Sequence, residues 1–407
     1  MTRLNRRSFL QCATAIPLWW SVRGAGAWLP TADERTLLVL ELVGGNDGLN
    51  TVIPSGDAAY TRLRPKLSAV QNGARELADG TRLHPALAQL HAMVGAGKAT
   101  VLHGVGYANP DRSHFRSRDI WHVGDPAHQR VAAATTGWLG RAADALAQAN
   151  AGDGVPAAAI GGLEVPLLLK GHRVRVPSLR RVEDFQWLAL QRREALAATS
   201  PTRAVVAGAA TPSADDLRAF AAAMSQRAVQ LAGGLESALA RYQPTADYPD
   251  SGLGRQLRLA AQLVVSGFGT RLLHLGFTGF DTHARQLPTH AGLLAELDAA
   301  LAAFVADLEA HGHGDKVAIL VHSEFGRRAA ENASQGTDHG AAAPAFVLLG
   351  GARGGVVGTP PDLARLDDGD PIATVDFRSV YRDLLVWLGI DSKAVLGGEH
   401  ASANLWA

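Results

Sequence analysis

The sequence predicts an α/β protein built around a mostly parallel β-sheet, and two observations support this. Beyond residue 35, short apolar runs alternate with longer segments of helical periodicity, which is typical of consecutive βα units. The 407 residues are 47% hydrophobic and 19% charged, so the chain can bury a large core and is not disordered. One cysteine excludes a disulfide scaffold. The length allows two or three domains or one large α/β domain, and we expect the latter over residues 28–407.

The first 27 residues predict an export signal. Arg6 and Arg7, followed by Ser-Phe-Leu, are typical of a twin-arginine signal, and a short apolar stretch leads to Ala-Gly-Ala at 25–27 as a cleavage site. An uncleaved anchor is the alternative, but a membrane span needs about 20 apolar residues. We therefore expect the twin-arginine translocase as a partner during export, a periplasmic or secreted location, and no membrane span after cleavage.

Cleavage after Ala27 would change the charge and chemistry of the chain. It removes four arginines and no acidic residue, which takes the formal net charge from +1 to −3. A weakly acidic chain offers no general attraction to nucleic acid, so we expect no nucleic-acid partner. Cleavage also removes Cys12 and with it any thiol nucleophile. The chemistry should therefore depend on oxygen and nitrogen atoms.

The elements of the sheet can be assigned from these patterns. The predicted strands are Thr36–Val43, Ala99–His103, Ala157–Ile160, Arg271–Phe277, Lys316–His322 and Ala345–Leu349. Helical patterns cover Pro85–Ala96, Ser113–Trp121, Gly137–Gln148, Leu293–Glu309 and Asp376–Leu388. Residues 182–267 have helical periodicity and little strand character, with the clearest helix over Asp215–Tyr242, and are read as a helical insertion or cap on the sheet. Ligands bind at the carboxyl ends of strands in such sheets.

Two polar clusters follow the first two strands. Asp47 lies in a Gly-Asn-Asp-Gly loop where a carboxylate could hold a cation, although a turn without a ligand explains the same residues. Ser113 begins the helix after the second strand and by default caps it. The functional alternative is an anion site at that helix N-terminus, with Arg112, Arg116 or Arg118 binding phosphate.

Three further clusters offer metal ligands. Asp281 and His283 follow the fourth strand, Glu324 follows the fifth, and Asp338 and His339 lie in a Gly-rich loop. Each of these short motifs also occurs by chance or in solvated loops. Together with Asp47, however, they are expected to follow strands of one sheet. Carboxylates and imidazoles in this number are enough for two divalent ions, which would clamp the oxygens of a phosphate-type displacement.

These motifs resemble the domain of unknown function 1501 family over nearly the whole chain after the signal. The resemblance rests on residues 38–54, Leu83-His84-Pro85, the segment 103–115, Gly137-Trp138-Leu139-Gly140-Arg141, Phe280-Asp281-Thr282-His283, Ser323-Glu324-Phe325-Gly326-Arg327 and Thr337-Asp338-His339-Gly340. It implies an exported bacterial protein with the α/β/α sandwich of the alkaline phosphatase and sulfatase superfamily. It also implies one or two divalent ions, zinc, manganese or calcium, at the carboxyl ends of the strands.

The resemblance assigns expected roles to individual residues. Asp47 resembles the metal carboxylate after the first strand, Ser113 the nucleophile at a helix start, and His339 the last histidine ligand. Asp281 and His283 resemble the ligands of one metal position, although that pair is usually spaced more widely. Phe325 replaces the histidine expected after Glu324, so Asp338-His339 is an alternative source of that pair. The departure at Phe325 puts a second metal in doubt.

The sequence therefore predicts an exported metal-dependent hydrolase of small-molecule or polymer phosphate or sulfate esters. Ser113 would be the attacking hydroxyl or anion anchor, with Arg112, His114 and Arg116 binding the anion. A sulfatase proper is disfavoured, because the Cys/Ser-x-Pro-x-Arg pattern is missing. A lipase-like serine hydrolase is disfavoured because no Gly-Asp-Ser precedes the Gly-Asn-Asp string. The rival from a different class is a catalytically inactive binding or assembly protein on the same fold.

Overall fold

A computed structural model describes residues 35–128, 131–132, 135–149, 156–162, 164–181, 242–267 and 269–406. The predicted signal at 1–27 and most of the predicted helical insertion, including nearly all of Asp215–Tyr242, lie outside these residues. The described part of 182–267 contains a helix, as its periodicity predicts.

Fourteen strands are present in the described ranges. They are β1 Thr36–Val43, β2 Val52–Ile53, β3 Arg75–Glu76, β4 Arg82–Leu83, β5 Ala99–Gly106, β6 Ala157–Ile160, β7 Ser178–Leu179, β8 Leu272–Thr278, β9 Val317–His322, β10 Ala343–Leu349, β11 Gly355–Val357, β12 Leu366–Asp367, β13 Asp370–Pro371 and β14 Val375–Asp376. Nine of them form the central sheet, in the order β11-β5-β10-β9-β1-β8-β6-β7 with β14 also paired to β5. Two small sheets, β2-β4-β3 and β12-β13, lie outside it.

The central sheet is parallel except at one strand. β1 pairs in parallel with β8 and β9, and β6 continues the parallel set beyond β8. β10 runs antiparallel to both of its neighbours, β9 and β5. The carboxyl ends of β1, β5, β8 and β9 therefore lie on the same edge of the sheet as the amino end of β10.

Helices cover both faces of this sheet. They are α1 Gly48–Thr51, α2 Ala58–Leu63, α3 Ala88–Gly95, α4 His114–Val123, α5 Trp138–Ala149, α6 Gly252–Val265, α7 Gln286–Ala310, α8 Phe377–Trp387 and α9 Ser392–Leu396. Two short 3₁₀ segments occupy Leu67–Gln71 and Leu167–Leu169. No helix in the described ranges combines the length and apolar character needed to cross a membrane.

The alternation of side chains along β1 divides the core into two layers. Leu38 and Leu40 face a core that includes residues of α3, α6 and α7. Leu37 and Val39 face a second core that includes residues of α4, α5 and α8. Because β1 is central in the sheet, its apolar residues are buried on both faces, which explains its nearly continuous hydrophobic run. The predicted three-layer α/β/α sandwich is confirmed.

Candidate metal centre

Two loops at the edge of the sheet where β1, β5, β8 and β9 end bring two imidazoles to one carboxylate. The loop after β8 supplies Asp281 and His283, and the loop before β10 supplies His339. His283 Nε2 lies 3.0 Å from Asp281 Oδ1, and His339 Nε2 lies 3.2 Å from the same oxygen. The two Nε2 atoms are 2.9 Å apart. The sequence prediction that these three residues meet agrees with this geometry.

The outward nitrogen of each ring is held by an acceptor. His339 Nδ1 donates to the backbone oxygen of Arg112 at 2.8 Å, and His283 Nδ1 faces Asp338 Oδ1 at 3.3 Å. An acceptor at Nδ1 places the proton there and leaves a lone pair on Nε2 of the neutral ring. Burial lowers the pKa of His339, which favours that neutral form. The two Nε2 atoms and Asp281 Oδ1 therefore lie within 3.2 Å of one another, close enough to bind one cation together.

A third imidazole stands beside this group. His114 begins α4, and its Nδ1 lies 2.9 Å from the buried Glu324 Oε1. Its Nε2 lies 3.4 Å from Asp281 Oδ1 and has no hydrogen-bond partner, although the atom is buried. Burial alone would lower the pKa of His114, but the hydrogen bond to Glu324 is the largest influence and raises it. The sequence reasoning placed His114 with the anion ligands and missed that its ring lies within reach of the metal ligands.

Arg327 holds the carboxylate that the rings share. Its guanidinium is buried, donates to the backbone oxygens of Gly45 and Thr337, and lies 2.6 Å from Asp281 Oδ1. Burial raises the pKa of Asp281, but the hydrogen bond and charge of Arg327 outweigh it and lower the pKa to about 2. Asp281 is therefore ionised at neutral pH while its side chain stays half exposed to solvent.

Phe325 forms the apolar wall of the site. Its buried ring packs against His114 at a centroid distance of 4.8 Å and against His339 at 4.9 Å. Gly45 makes room for this ring, because a Cβ at that position would overlap it and the backbone φ there is +70°. The residue that departs from the resembled motif thus positions two of the imidazoles.

Two predicted metal ligands have other partners. The carboxylate of Asp47 is fully buried, lies 2.6 Å from the guanidinium of Arg64 and accepts from the Gln286 side chain. Glu324 accepts from the backbone N–H of Gly44 at 2.9 Å as well as from His114. Neither carboxylate belongs to the group of ligand atoms around Asp281, and Arg64 supplies the positive charge that an ion was expected to bring to Asp47.

Asp338 and His339 reach the site by a different route from the one predicted. They precede β10 rather than follow a strand, and they lie at the carboxyl-end edge because β10 is antiparallel to its neighbours. Asp338 contacts His283 Nδ1 and is not among the atoms that surround Asp281 Oδ1. It thus corresponds to the carboxylate that orients a ligating imidazole from outside, as metal sites commonly require.

The predicted anion ligands divide into two kinds. Arg112 is paired with Asp370 at 2.6 Å and with Asp368 at 2.9 Å, so its guanidinium already serves two carboxylates. Arg116, in the first turn of α4, has a buried Nη1 without a hydrogen-bond partner. The Ser113 side chain is exposed and makes no capping hydrogen bond to the helix that it begins.

Some solved structures are similar to this chain at low identity. A sulfatase from Pseudoalteromonas sp. is 13% identical over 92% of this chain and 72% of that one, with a TM-score of 0.42. A protein in the alkaline phosphatase superfamily from Vibrio parahaemolyticus is 10% identical over 97% and 78%, with a TM-score of 0.40. The phosphonate monoester hydrolase of Agrobacterium radiobacter is 11% identical over 90% and 78%, with a TM-score of 0.39. No curated protein matches significantly.

The family comparison agrees with the motifs found in the sequence. A model described as a protein of unknown function (DUF1501) matches residues 34–402, which includes every residue of the site described above. The chain therefore belongs to the DUF1501 family of proteins of unknown function.

Proposed function

We propose that the chain is an exported metal-dependent hydrolase of phosphate or sulfate esters, with one divalent ion held by Asp281, His283 and His339. The observation that carries this proposal is the close approach of His283 Nε2 and His339 Nε2 to Asp281 Oδ1. The Nδ1 atom of each ring faces an acceptor on the other side. Export rests on the sequence alone, through Arg6, Arg7 and the apolar stretch that follows them.

The donor set favours zinc or manganese over calcium. Two imidazole nitrogens and one carboxylate oxygen suit a transition metal, whereas calcium takes six to eight oxygen ligands. Atoms bound at about 2.0–2.2 Å in a tetrahedron lie about 3.3–3.6 Å from one another. The three separations here are 2.9, 3.0 and 3.2 Å, so a small shift would accommodate an ion.

The half-exposed carboxylate leaves one side of the group open to water or substrate. A divalent ion bound there would polarise an ester oxygen and lower the pKa of a bound water or hydroxyl. Catalytic zinc sites keep such an open position beside three protein ligands.

The surrounding residues supply a proton carrier. Glu324 fixes the His114 ring through Nδ1, and the partnerless Nε2 faces Asp281. A ring held in this way can keep a proton at Nε2 and give it to a leaving oxygen. Because Glu324 contacts the His114 ring and none of the three proposed metal ligands, it is a positioning residue.

The first turn of α4 supplies an anion site. Arg116 has a free donor there, and the N-terminus of the helix favours negative charge. The exposed hydroxyl of Ser113 lies at the same helix end and is the candidate nucleophile or anion anchor.

The second candidate function is a catalytically inactive binding or assembly protein. Arg327 already neutralises Asp281, and Arg64 neutralises the predicted second carboxylate, Asp47. A site with these two fixed cations could bind an ion or ligand without the two-metal clamp of a phosphate-type displacement.

Metal analysis followed by an ester screen separates the two functions. Full-length protein would be loaded with zinc or manganese, dialysed and assayed on chromogenic phosphate monoesters, phosphate diesters and sulfate esters. The hydrolase is expected to retain one ion per chain at the proposed site and to lose both ion and turnover in Asp281→Asn and His283→Gln. His91→Gln is the control, because this histidine contacts Glu76 on another part of the fold.

Each result points to one account. A bound ion that is lost in both variants, with no turnover above theirs, would favour the binding protein. An ion content that is unchanged in both variants would refute the metal site itself.

A further inference from the structure

A second group of histidines surrounds a buried glutamate in the sheet. Glu41 is the one charged residue of β1, and its side chain is 1% exposed. His322 of β9 is its register partner, and His274 of β8 is the register partner of Val39, two residues earlier. Since residues two apart share a face, all three side chains project to the face covered by α4. His122 of α4 completes the group, which we call the Glu41 cluster.

The atoms of this cluster that could bind a metal lie close together. Glu41 Oε2 lies 3.2 Å from His122 Nε2 and 3.4 Å from His274 Nε2. The three atoms lie within 4.8 Å of one another. Arg118 donates to Oε1 of Glu41 at 2.7 Å and to Oε2 at 3.2 Å, so Oε2 faces one guanidinium nitrogen as well as the two rings.

The separations are long for hydrogen bonds and are also compatible with an ion between the atoms. Hydrogen bonds from nitrogen to a carboxylate, when one group is charged, are usually about 2.7–2.9 Å long. Ligand atoms around a tetrahedral zinc ion lie about 3.3–3.6 Å apart, given metal–ligand bonds of about 2.0–2.2 Å. The observed 3.2 and 3.4 Å lie close to the lower end of that range.

An unpartnered atom beside the cluster is an independent observation. His322 is 3% exposed, and its Nδ1 is buried with no hydrogen-bond partner. Such an atom is rare in a folded protein and commonly marks a water or ion. Because His322 is the register partner of Glu41, its ring lies next to the three converging atoms.

We propose that the Glu41 cluster is a second metal site, which holds a zinc-class divalent ion through Glu41, His122 and His274. The ion would be structural, because the ligands are buried and the ion would tie α4 to β1 and β8. Since α4 carries His114 and Arg116 at its start, the ion would fix the helix that supports the exposed site. The competing account is a closed network in which Arg118 alone balances Glu41.

Zinc counting in full-length protein tests this proposal independently of the hydrolase. Protein saturated with zinc and then dialysed is analysed by mass spectrometry of the metal, in wild type, His283→Gln, His274→Gln and the double variant. We expect His283→Gln to retain one buried ion that resists a chelator, His274→Gln to lose that ion, and the double variant to hold none. If the exposed site binds nothing, wild type still holds one ion, which only the His274 substitution removes.

Cobalt gives a readout that does not depend on how the His274 variant folds. Cobalt-loaded His283→Gln is expected to show the absorption of a tetrahedral ion in the visible range. A His283→Gln protein that binds neither zinc nor cobalt would overturn the proposal, as would a folded His274→Gln with an unchanged zinc count.

Discussion

At the scale of single residues, Asp47 lies where its motif predicts but is paired with an arginine. Its carboxylate lies after β1 as the sequence predicts. Oδ2 of that carboxylate lies 2.6 Å from Nη1 of Arg64, which is 17 positions further along the chain. The pairing depends on the path of the chain through α1 and α2, which no local pattern encodes. The contact between His114 and Glu324 was not predictable for a similar reason, since the two residues are 210 positions apart.

The Asp47 contact predicts a stability effect without a metal effect. Asp47→Asn leaves the buried Arg64 guanidinium without its counter-charge, which should lower the free energy of unfolding by about 3–5 kcal/mol. The zinc content should not change. Urea unfolding and metal analysis measure the two quantities, with Asp250→Asn as the control, because that carboxylate is 97% exposed. Loss of zinc from a folded Asp47→Asn would restore Asp47 as a metal ligand.

Glu324 gives a second prediction at this scale. Because its hydrogen bond is the main influence raising the pKa of His114, Glu324→Gln should lower that pKa toward its ordinary value of about 6.5. Nuclear magnetic resonance titration of the metal-free protein measures the pKa directly, with the ring of His91 as an internal control. An unchanged pKa of His114 would show that Glu324 does not position or charge this ring.

At the scale of elements, the main strands and the mostly parallel sheet were predictable, and the antiparallel direction of β10 was not. The apolar runs located β1, β5, β6, β8, β9 and β10 to within a few residues, because burial on both faces leaves an uninterrupted hydrophobic pattern. The antiparallel direction of β10 depends on its pairing with β5 and β9, and it decides that His339 approaches the site from the amino end of a strand. Glu41 is a charged residue within the apolar run of β1. Its position was a sign of the buried Glu41 cluster that the sequence analysis did not use.

Substitution of Gly45, in the loop after β1, should lower stability and weaken zinc binding. Gly45→Ala would introduce a Cβ that overlaps the Phe325 ring, at a backbone φ of +70°. We expect a loss of about 1–3 kcal/mol in the free energy of unfolding and weaker zinc binding, because Phe325 holds the rings of His114 and His339. Gly80→Ala is the control, since Gly80 has a φ of +84° with nothing near its Cβ position. Equal effects in both variants would assign the loss to the backbone alone.

At the scale of the whole molecule, two buried carboxylates predict how stability depends on pH. Burial raises the pKa of Glu41 and of Asp47, but neighbouring histidine and arginine charges outweigh it and lower both. Groups with lowered pKa values stabilise the folded state above their unfolded pKa of about 4, and this contribution is lost as the pH falls through the folded value. We expect the free energy of unfolding to fall below about pH 4, and less steeply in Asp47→Asn. Identical slopes would contradict the role given to Asp47.

The central claim is that the fold brings Asp281, His283 and His339 together to hold a divalent ion. Diffraction from crystals of the zinc-loaded protein, recorded on both sides of the zinc absorption edge, tests it most directly. The account predicts an anomalous peak within bonding distance, about 2.0–2.2 Å, of the Asp281 carboxylate and of both Nε2 atoms. A map with no peak there, with the His283 and His339 rings still in contact, would contradict the account.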